Sequence, residues 1–106
     1  FFTTGSPGGS RIISAVLQSI LNIVDFKMNL DQANRSKRIH HQWLPDILQV
    51  ESSMDDKIKK ELLELGYDIL IIDPATCLQL IMYENKTYYG YGDYRRPDAY
   101  ASGEIK

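Results

Sequence analysis

Three glycines and a proline stand between two apolar runs at the start of this chain. Phe1-Phe2-Thr3-Thr4 is aromatic and β-branched, the composition of a strand. Gly5-Ser6-Pro7-Gly8-Gly9 follows, and then Ser10-Arg11-Ile12-Ile13-Ser14-Ala15-Val16-Leu17. Glycine and proline break regular structure, so the chain must turn here. From Ser10 to Phe26 the apolar residues Ile12, Ile13, Val16, Leu17, Ile20, Leu21, Ile23 and Val24 recur at three and four, which predicts a helix. Their arc is wide, and the expectation is a helix buried on most sides. Any fold for this chain therefore contains a strand, a glycine turn and an apolar helix in immediate succession.

The remainder reads as an alternation of short elements. Residues 30 to 35 form a second, short helix. Residues 38 to 43 and 46 to 51 are extended segments around Leu44-Pro45. Ser53 suits the cap of a third helix, Asp55 and Asp56 suit its positive end, and Gly66 suits its stop. Ile58, Leu62 and Leu65 are its expected buried stripe. Residues 67 to 72 form an apolar strand. Residues 77 to 84 and 87 to 91 form a hairpin across Glu84-Asn85-Lys86, and the tail from 92 to 106 is loop-like. The order β-α-α-β-β-α-β-β-β is an α+β pattern.

A chain of 106 residues is the size of one domain. Its net charge of −2 gives no reason to expect nucleic acid as a partner. One cysteine, Cys77, excludes an intrachain disulfide. The longest apolar run, Ile12 to Val24, is broken by Ser14, Gln18, Ser19 and Asn22 and is too short for a membrane span. The chain opens on strand-like Phe1-Phe2 without a methionine, and is expected to be a piece of something longer.

The glycine loop carries the strongest chemical signal. The first N–H groups of a helix have no partners within it and carry partial positive charge. Gly8 and Gly9 add no side chains, so an anion could approach their backbone closely. Phosphate, a carboxylate or the oxyanion of a tetrahedral intermediate would suit such a place, and so would no ligand at all. No Gly-Lys-Ser/Thr follows, and Gly-x-Gly-x-x-Gly is absent, so neither nucleotide-binding pattern fits. His40 and His41 are adjacent on an extended segment and point to opposite faces, which argues for structural roles and against a shared metal. Cys77 has no histidine nearby in sequence and reads as core. Six tyrosines from Tyr83 to Tyr100 read as core and rim packing rather than a stacking surface. Asn85-Lys86-Thr87 is a weak glycosylation sequon. Arg95 and Arg96 are expected to pair with Asp93 or Asp98, or with the rest of a larger protein.

Taken together, Thr4 to Ile12 (TGSPGGSRI), Arg38 to Asp46 (RIHHQWLPD) and Asp93 to Ala99 (DYRRPDA) resemble the closing third of gamma-glutamyltransferases (gamma-glutamyltranspeptidases). The resemblance covers nearly the whole chain. It implies an N-terminal nucleophile hydrolase with an αββα sandwich, of which residues 1–106 would be a single partial domain, the C-terminal part of the small subunit. It implies transfer or hydrolysis of γ-glutamyl groups from glutathione-like substrates, with no cofactor and no metal. The nucleophile would be an amino-terminal threonine whose own α-amine takes the proton. Gly8 and Gly9 match the two glycines that donate backbone N–H groups to the oxyanion, and are the expected catalytic and substrate-binding residues of this segment. Their N–H groups are expected to face an open hollow at the start of the first helix.

The threonine lies upstream of this segment in the family, so the chain alone is expected to be inactive. Thr3 and Thr4 are unsuitable substitutes, since neither carries a free amine. The implied partners are a γ-glutamyl substrate, the upstream part of the small subunit and the large subunit, at a periplasmic or extracellular location. The alternative is a non-catalytic remnant or binding module that self-associates or pairs with another chain. Three positions depart from the family pattern: Lys37 and Tyr94 stand where proline is usual, and Thr76-Cys77-Leu78 replaces a glycine-containing stretch before Gln79.

Overall fold

The computed structural model describes residues 1–103. Residues 104–106, the end of the expected loop-like tail, lie outside the described residues. In chain order the elements are β1 (Phe2–Gly5), α1 (Arg11–Val24), α2 (Leu30–Arg35), β2 (Ile39–His40), β3 (Leu48–Glu51), α3 (Asp56–Glu64), β4 (Ile69–Ile72), β5 (Gln79–Glu84) and β6 (Thr87–Tyr91). The order is the one read from the sequence.

Two three-stranded sheets result. The first has the order β1-β5-β6, all antiparallel. Its register sets Thr4 and Tyr91 beside Leu80, and Phe2 and Tyr89 beside Met82. The β5–β6 connection is tight because Asn85 and Lys86 both adopt left-handed φ, at 52° and 63°. Two such residues in succession turn the chain in the sense that matches strand twist. The second sheet has the order β2-β3-β4; β2 pairs antiparallel to β3, and β3 pairs parallel to β4. A parallel neighbour needs a crossover, and α3 supplies it.

Local chemistry explains the short helices. Asn29 accepts the Gln32 N–H at 2.8 Å, while the Gln32 side chain takes the Asn29 N–H at 3.1 Å. This reciprocal capping box starts α2. The cap of α3 is Asp55, which accepts the Lys57 N–H at 2.9 Å, and not Ser53. The reason is a turn closed by the Met54 N–H on the Glu51 carbonyl, which delays the helix by two residues.

The core joins Ala15, Leu30, Leu78 and Leu80, with Val16, Ile23, Met82 and Tyr91 against its margin. Three expectations about burial are corrected. In α1 only Ala15 and Ser19 are fully buried, while Ile13, Leu17, Ile20, Leu21 and Val24 are exposed. In α3 no residue is buried, and Ile58 and Leu65 are exposed. The tyrosines sit mostly at the surface, with Tyr83, Tyr88, Tyr89, Tyr94 and Tyr100 all exposed. In each case the apolar pattern was present, but the described residues cover only one side of these elements. Among the described residues no helix is long and apolar enough to cross a membrane.

A buried ionic network ties the two sheets together. Arg38, leading into β2, donates to Asp93 Oδ2 at 2.7 Å, to Thr76 Oγ1 at 3.1 Å, and to the carbonyl and side-chain oxygens of Asn34. Arg95 grips Glu51 of β3 with two parallel bonds of 2.7 Å and reaches Asp93 Oδ1 at 3.1 Å. It also donates to the carbonyls of Asn34 and Ser36. Glu51 takes the Arg38 N–H, and Asp93 takes the N–H groups of Leu78 and Arg95. Two cations and two anions thus neutralise one another, with their polar atoms hydrogen-bonded on several sides.

Burial by itself would push the Asp93 carboxyl up. The Leu78 and Arg95 N–H groups and the Arg38 guanidinium outweigh it and hold the carboxyl below the usual carboxylate range. Its folded pKa therefore lies under the unfolded value of about 3.9. The stability this contributes is fully present above that value and is lost as pH falls through the folded value. The urea midpoint is accordingly expected to drop as pH is lowered below about 4. Asp93→Asn should cost about 3–5 kcal/mol at neutral pH, because Arg38 is left buried against a neutral group. The same urea titrations, run at both pH values, should show a smaller acid-dependent loss in the variant.

Candidate functional site

The glycine loop leaves β1 and enters α1 within five residues. Gly8 has φ 134° and Gly9 has φ 60°, both in the region that side chains disfavour. Space adds a second constraint at Gly8. A Cβ there would lie 2.9 Å from Thr76 Cγ2 and 3.1 Å from the Ala75 carbonyl oxygen, whereas one on Gly9 would meet open space.

The loop is held from the side by the segment before β5. Ser6 Oγ donates to the Pro7 carbonyl at 2.7 Å and accepts the Cys77 N–H at 3.3 Å. Thr76, which crowds Gly8, is itself bonded by Arg38. The ionic network thus reaches the loop through one intervening residue.

The carbonyls of Gly8 and Gly9 accept the N–H groups of Arg11 and Ile12 at 3.1 and 3.2 Å and so begin α1. Among the described residues, the N–H groups of Gly8 and Gly9 donate no hydrogen bond. The first turn of α1 contains no acidic residue, and Ser10 makes no side-chain cap. The positive helix end, equivalent to about half a charge, is therefore not offset locally. Two unpaired N–H groups at such an end are suited to an oxygen anion.

Ser10 faces the histidine segment instead of its own helix. Its hydroxyl donates to Gln42 Oε1 at 3.2 Å, while Gln42 Nε2 donates to the Leu44 carbonyl. Gln42 Oε1 is thereby an acceptor, so His40 Nε2, 3.1 Å away, carries the hydrogen. His40 Nδ1 then accepts from Ser14 Oγ at 2.7 Å. His41 is exposed on the other side; its Nδ1 accepts the Trp43 N–H, which leaves Nε2–H to donate to Asp46 at 2.9 Å. The two rings have separate partners, as their adjacency in an extended segment requires. Arg11 donates to Gln49 of β3 at 2.7 Å, and Gln18 bridges the Ser14 carbonyl to both polar groups of the Ile39 backbone. The start of α1 is thus laced to the second sheet.

The other candidates fall apart from the loop or into the scaffold. Cys77 is buried, and burial pushes its thiol up, which disfavours the thiolate a nucleophile needs. Its neighbour in hydrogen bonding is Gln79. Arg95 pairs with Asp93 as expected, but its stronger grip is on Glu51. Arg96 and Asp98 form no ion pair with each other among the described residues. The Tyr94 ring is flanked by Arg35, Lys37 and Arg95, with Lys37 Nζ also 3.2 Å from its hydroxyl. Asn85 of the sequon sits at the hairpin tip. A cavity of about 900 Å³ lies between the α1–α2 junction and the β5–β6 hairpin, and neither glycine lines it. Glu51 and Asn34 escaped sequence reasoning, and Thr76 was noted only as a departure from the family pattern; Glu51 and Thr76 meet their arginines 44 and 38 positions away.

Comparison with known proteins identifies the family and the fold. A family model described as gamma-glutamyltranspeptidase matches residues 1–103. The glutathione hydrolase proenzyme of Escherichia coli (strain K12) is 38% identical over 104 residues, which are 97% of this chain and 18% of the relative. Glutathione hydrolase proenzyme 2 of Schizosaccharomyces pombe is 33% identical over 96 residues, covering 87% of this chain and 16% of its own. A solved Helicobacter pylori gamma-glutamyltranspeptidase superposes with TM-score 0.83 at 40% identity, over 91% of this chain and 54% of that one. The Pseudomonas nitroreducens enzyme complexed with L-DON gives TM-score 0.86 at 28% identity, over 99% and 55%. The chain therefore spans about a fifth of the curated relatives and about half of the solved chains. Its helices and sheets are an α+β portion of that N-terminal nucleophile hydrolase fold.

The two glycines should respond unequally to alanine. Gly9→Ala meets only the left-handed backbone cost of about 1–2 kcal/mol. Gly8→Ala adds the approach of Thr76 and the Ala75 carbonyl, and should lose about 2–4 kcal/mol. Thermal unfolding of the two variants checks the order; equal losses would show that the Thr76 contact gives way freely.

Proposed function

This chain belongs to the gamma-glutamyltranspeptidase family, and on that premise we propose that Gly8 and Gly9 form the oxyanion hole of a γ-glutamyl transferase or hydrolase. The observation that carries the reading is the pair of backbone N–H groups without acceptors at the start of α1.

The chemistry follows from the charge that develops. A threonine hydroxyl oxygen adds to the γ-glutamyl carbonyl carbon of a glutathione-like donor, and its proton passes to the threonine's own α-amine. The carbonyl oxygen becomes negative as the new C–O bond forms. The N–H groups of Gly8 and Gly9, already held by the loop, receive that charge without reorganising. Each such donor supplies about 3–4 kcal/mol of transition-state stabilisation. The C–N bond then breaks, the amine leaves with a proton, and the acyl-enzyme is resolved by water or an acceptor amine. We place the nucleophile in a part of the enzyme outside these 106 residues, which constitute one partial domain. The remainder of the small subunit and the large subunit are its partners, and family membership suggests a periplasmic or extracellular location.

A γ-glutamyl anilide distinguishes the readings. The isolated chain should release no anilide, while the chain combined with the complementary polypeptide should. Release by the isolated chain would sink the assignment of the nucleophile elsewhere. Replacing the Gly9 N–H by an ester oxygen, by chemical ligation, should lower kcat of the assembled enzyme by about 10²–10³-fold with little change in KM. An unchanged kcat would remove Gly9 from the oxyanion hole, and absence of activity in every assembled sample would favour a non-catalytic binding module.

A further inference from the structure

Thr76 stands between the ionic network and the glycine loop, and its two branches face different ways. Its Oγ1 accepts from Arg38 Nη1 at 3.1 Å. Its methyl carbon, Cγ2, lies 2.9 Å from the place that a Cβ on Gly8 would occupy. Both atoms sit on one β-carbon, so fixing the oxygen fixes the methyl. The guanidinium that holds the oxygen is itself held at several points. The same Nη1 donates to Asp93 Oδ2 at 2.7 Å, and Nη2 donates to the carbonyl and side-chain oxygens of Asn34 at 3.2 Å each.

Residues 73–78, which include Thr76, form neither helix nor strand. This stretch is placed by the Arg38 bond and by two others, from the Cys77 N–H to Ser6 Oγ and from the Leu78 N–H to Asp93. The resulting contact falls on one glycine and not on its neighbour. At Gly8 the Thr76 methyl, the Ala75 carbonyl oxygen at 3.1 Å and Arg11 Cβ at 3.8 Å close the side where a side chain would stand. At Gly9 that side is open among the described residues. A glycine has no Cβ to limit its own dihedral angles. At Gly8 the limit is supplied from outside, and Thr76 supplies the nearest part of it.

We infer that Thr76 is a positioning residue for the oxyanion hole: its methyl, pinned through its hydroxyl by Arg38, sets the direction of the Gly8 N–H. The inference rests on the role proposed above for Gly8 and Gly9.

The test is a double-substitution cycle in the full-length enzyme, read by γ-glutamyl anilide turnover. Thr76→Ser keeps the hydroxyl for Arg38 and removes the methyl. Thr76→Val keeps the methyl and removes the hydroxyl. Each is made with the native Gly8 amide and, by chemical ligation, with an ester oxygen in place of the Gly8 N–H. With the native amide, Thr76→Ser should lower kcat about 10-fold at unchanged KM, since a small misplacement of a reacting geometry has costs of this order. Thr76→Val should lose less. The ester by itself should lower kcat about 10²–10³-fold. With the ester in place Thr76→Ser should change kcat no further, because the group it positions is gone. An equal loss in both backgrounds would assign Thr76 to general packing and overturn the inference. So would an unchanged kcat for Thr76→Ser with the native amide, or a larger loss for Thr76→Val than for Thr76→Ser. An ester that leaves kcat unchanged is a separate failure: it would remove Gly8 from the oxyanion hole, and the proposed function at that residue would fall together with the inference built on it.

Discussion

The pairing of Arg38 and Arg95 with Asp93 and Glu51 is the constraint on which the rest of the chain depends. The four charges come from the approach to β2, the end of β3 and the segment after β6, and Asn34 of α2 adds its oxygens. Burying these groups is costly, and a well-packed apolar cluster of the same volume could serve stability as well. What an apolar cluster lacks is direction. Bidentate contacts fix both distance and angle, and they recognise one arrangement of the two sheets and no other. Among the described residues the hydrophobic cluster around α1 and β5 gathers four buried side chains with a half-buried margin, and the ionic network adds the alignment of the two sheets.

The same network determines how rigid the glycine loop is. Asp93 holds the Leu78 N–H and Arg38 holds Thr76, so the segment from 76 to 78 is fixed from below. That segment in turn touches Ser6 and Gly8 from the side. From the other direction, Arg11, Ser14 and Gln18 tie α1 to β2 and β3. A backbone surface aimed at a charge works only if it does not relax when the charge arrives. On the proposed oxyanion reading, the rigidity comes from groups at the flanks of the loop.

Much of this was legible in the sequence, and the limits have physical causes. Element order followed from periodicity and from Gly, Pro and Asn signals, because those are local. The loop at Gly8 and Gly9 was legible because a cluster of glycine and proline between two apolar runs marks a turn locally. His40 and His41 separated onto two faces because a strand alternates. Burial was the weakest part: α1 and α3 carry full apolar patterns, yet sequence periodicity does not say whether the covering surface belongs to the same segment. Ser53 lost the cap of α3 to Asp55 because a turn at Glu51 to Met54 intervened, a competition between two local hydrogen bonds. Glu51 was unreadable, since its partner lies 44 positions away. Nothing in a neighbourhood of ten residues marks a carboxylate as the counter-charge of a distant arginine.

Gly8 is protected twice over, and the two protections are of different kinds. One is steric and belongs to Thr76 and the Ala75 carbonyl; the other is torsional and belongs to the backbone of the loop itself. Trimming Thr76 to a smaller residue would relieve only its share of the first, with the Ala75 carbonyl still in place, and leave the second in force. Unstraining the loop would relieve the second and leave the carbonyl in the way. Over evolutionary time, no single exchange elsewhere opens this position to another amino acid, so a lineage that loses Gly8 has no short path by which to make the loss good.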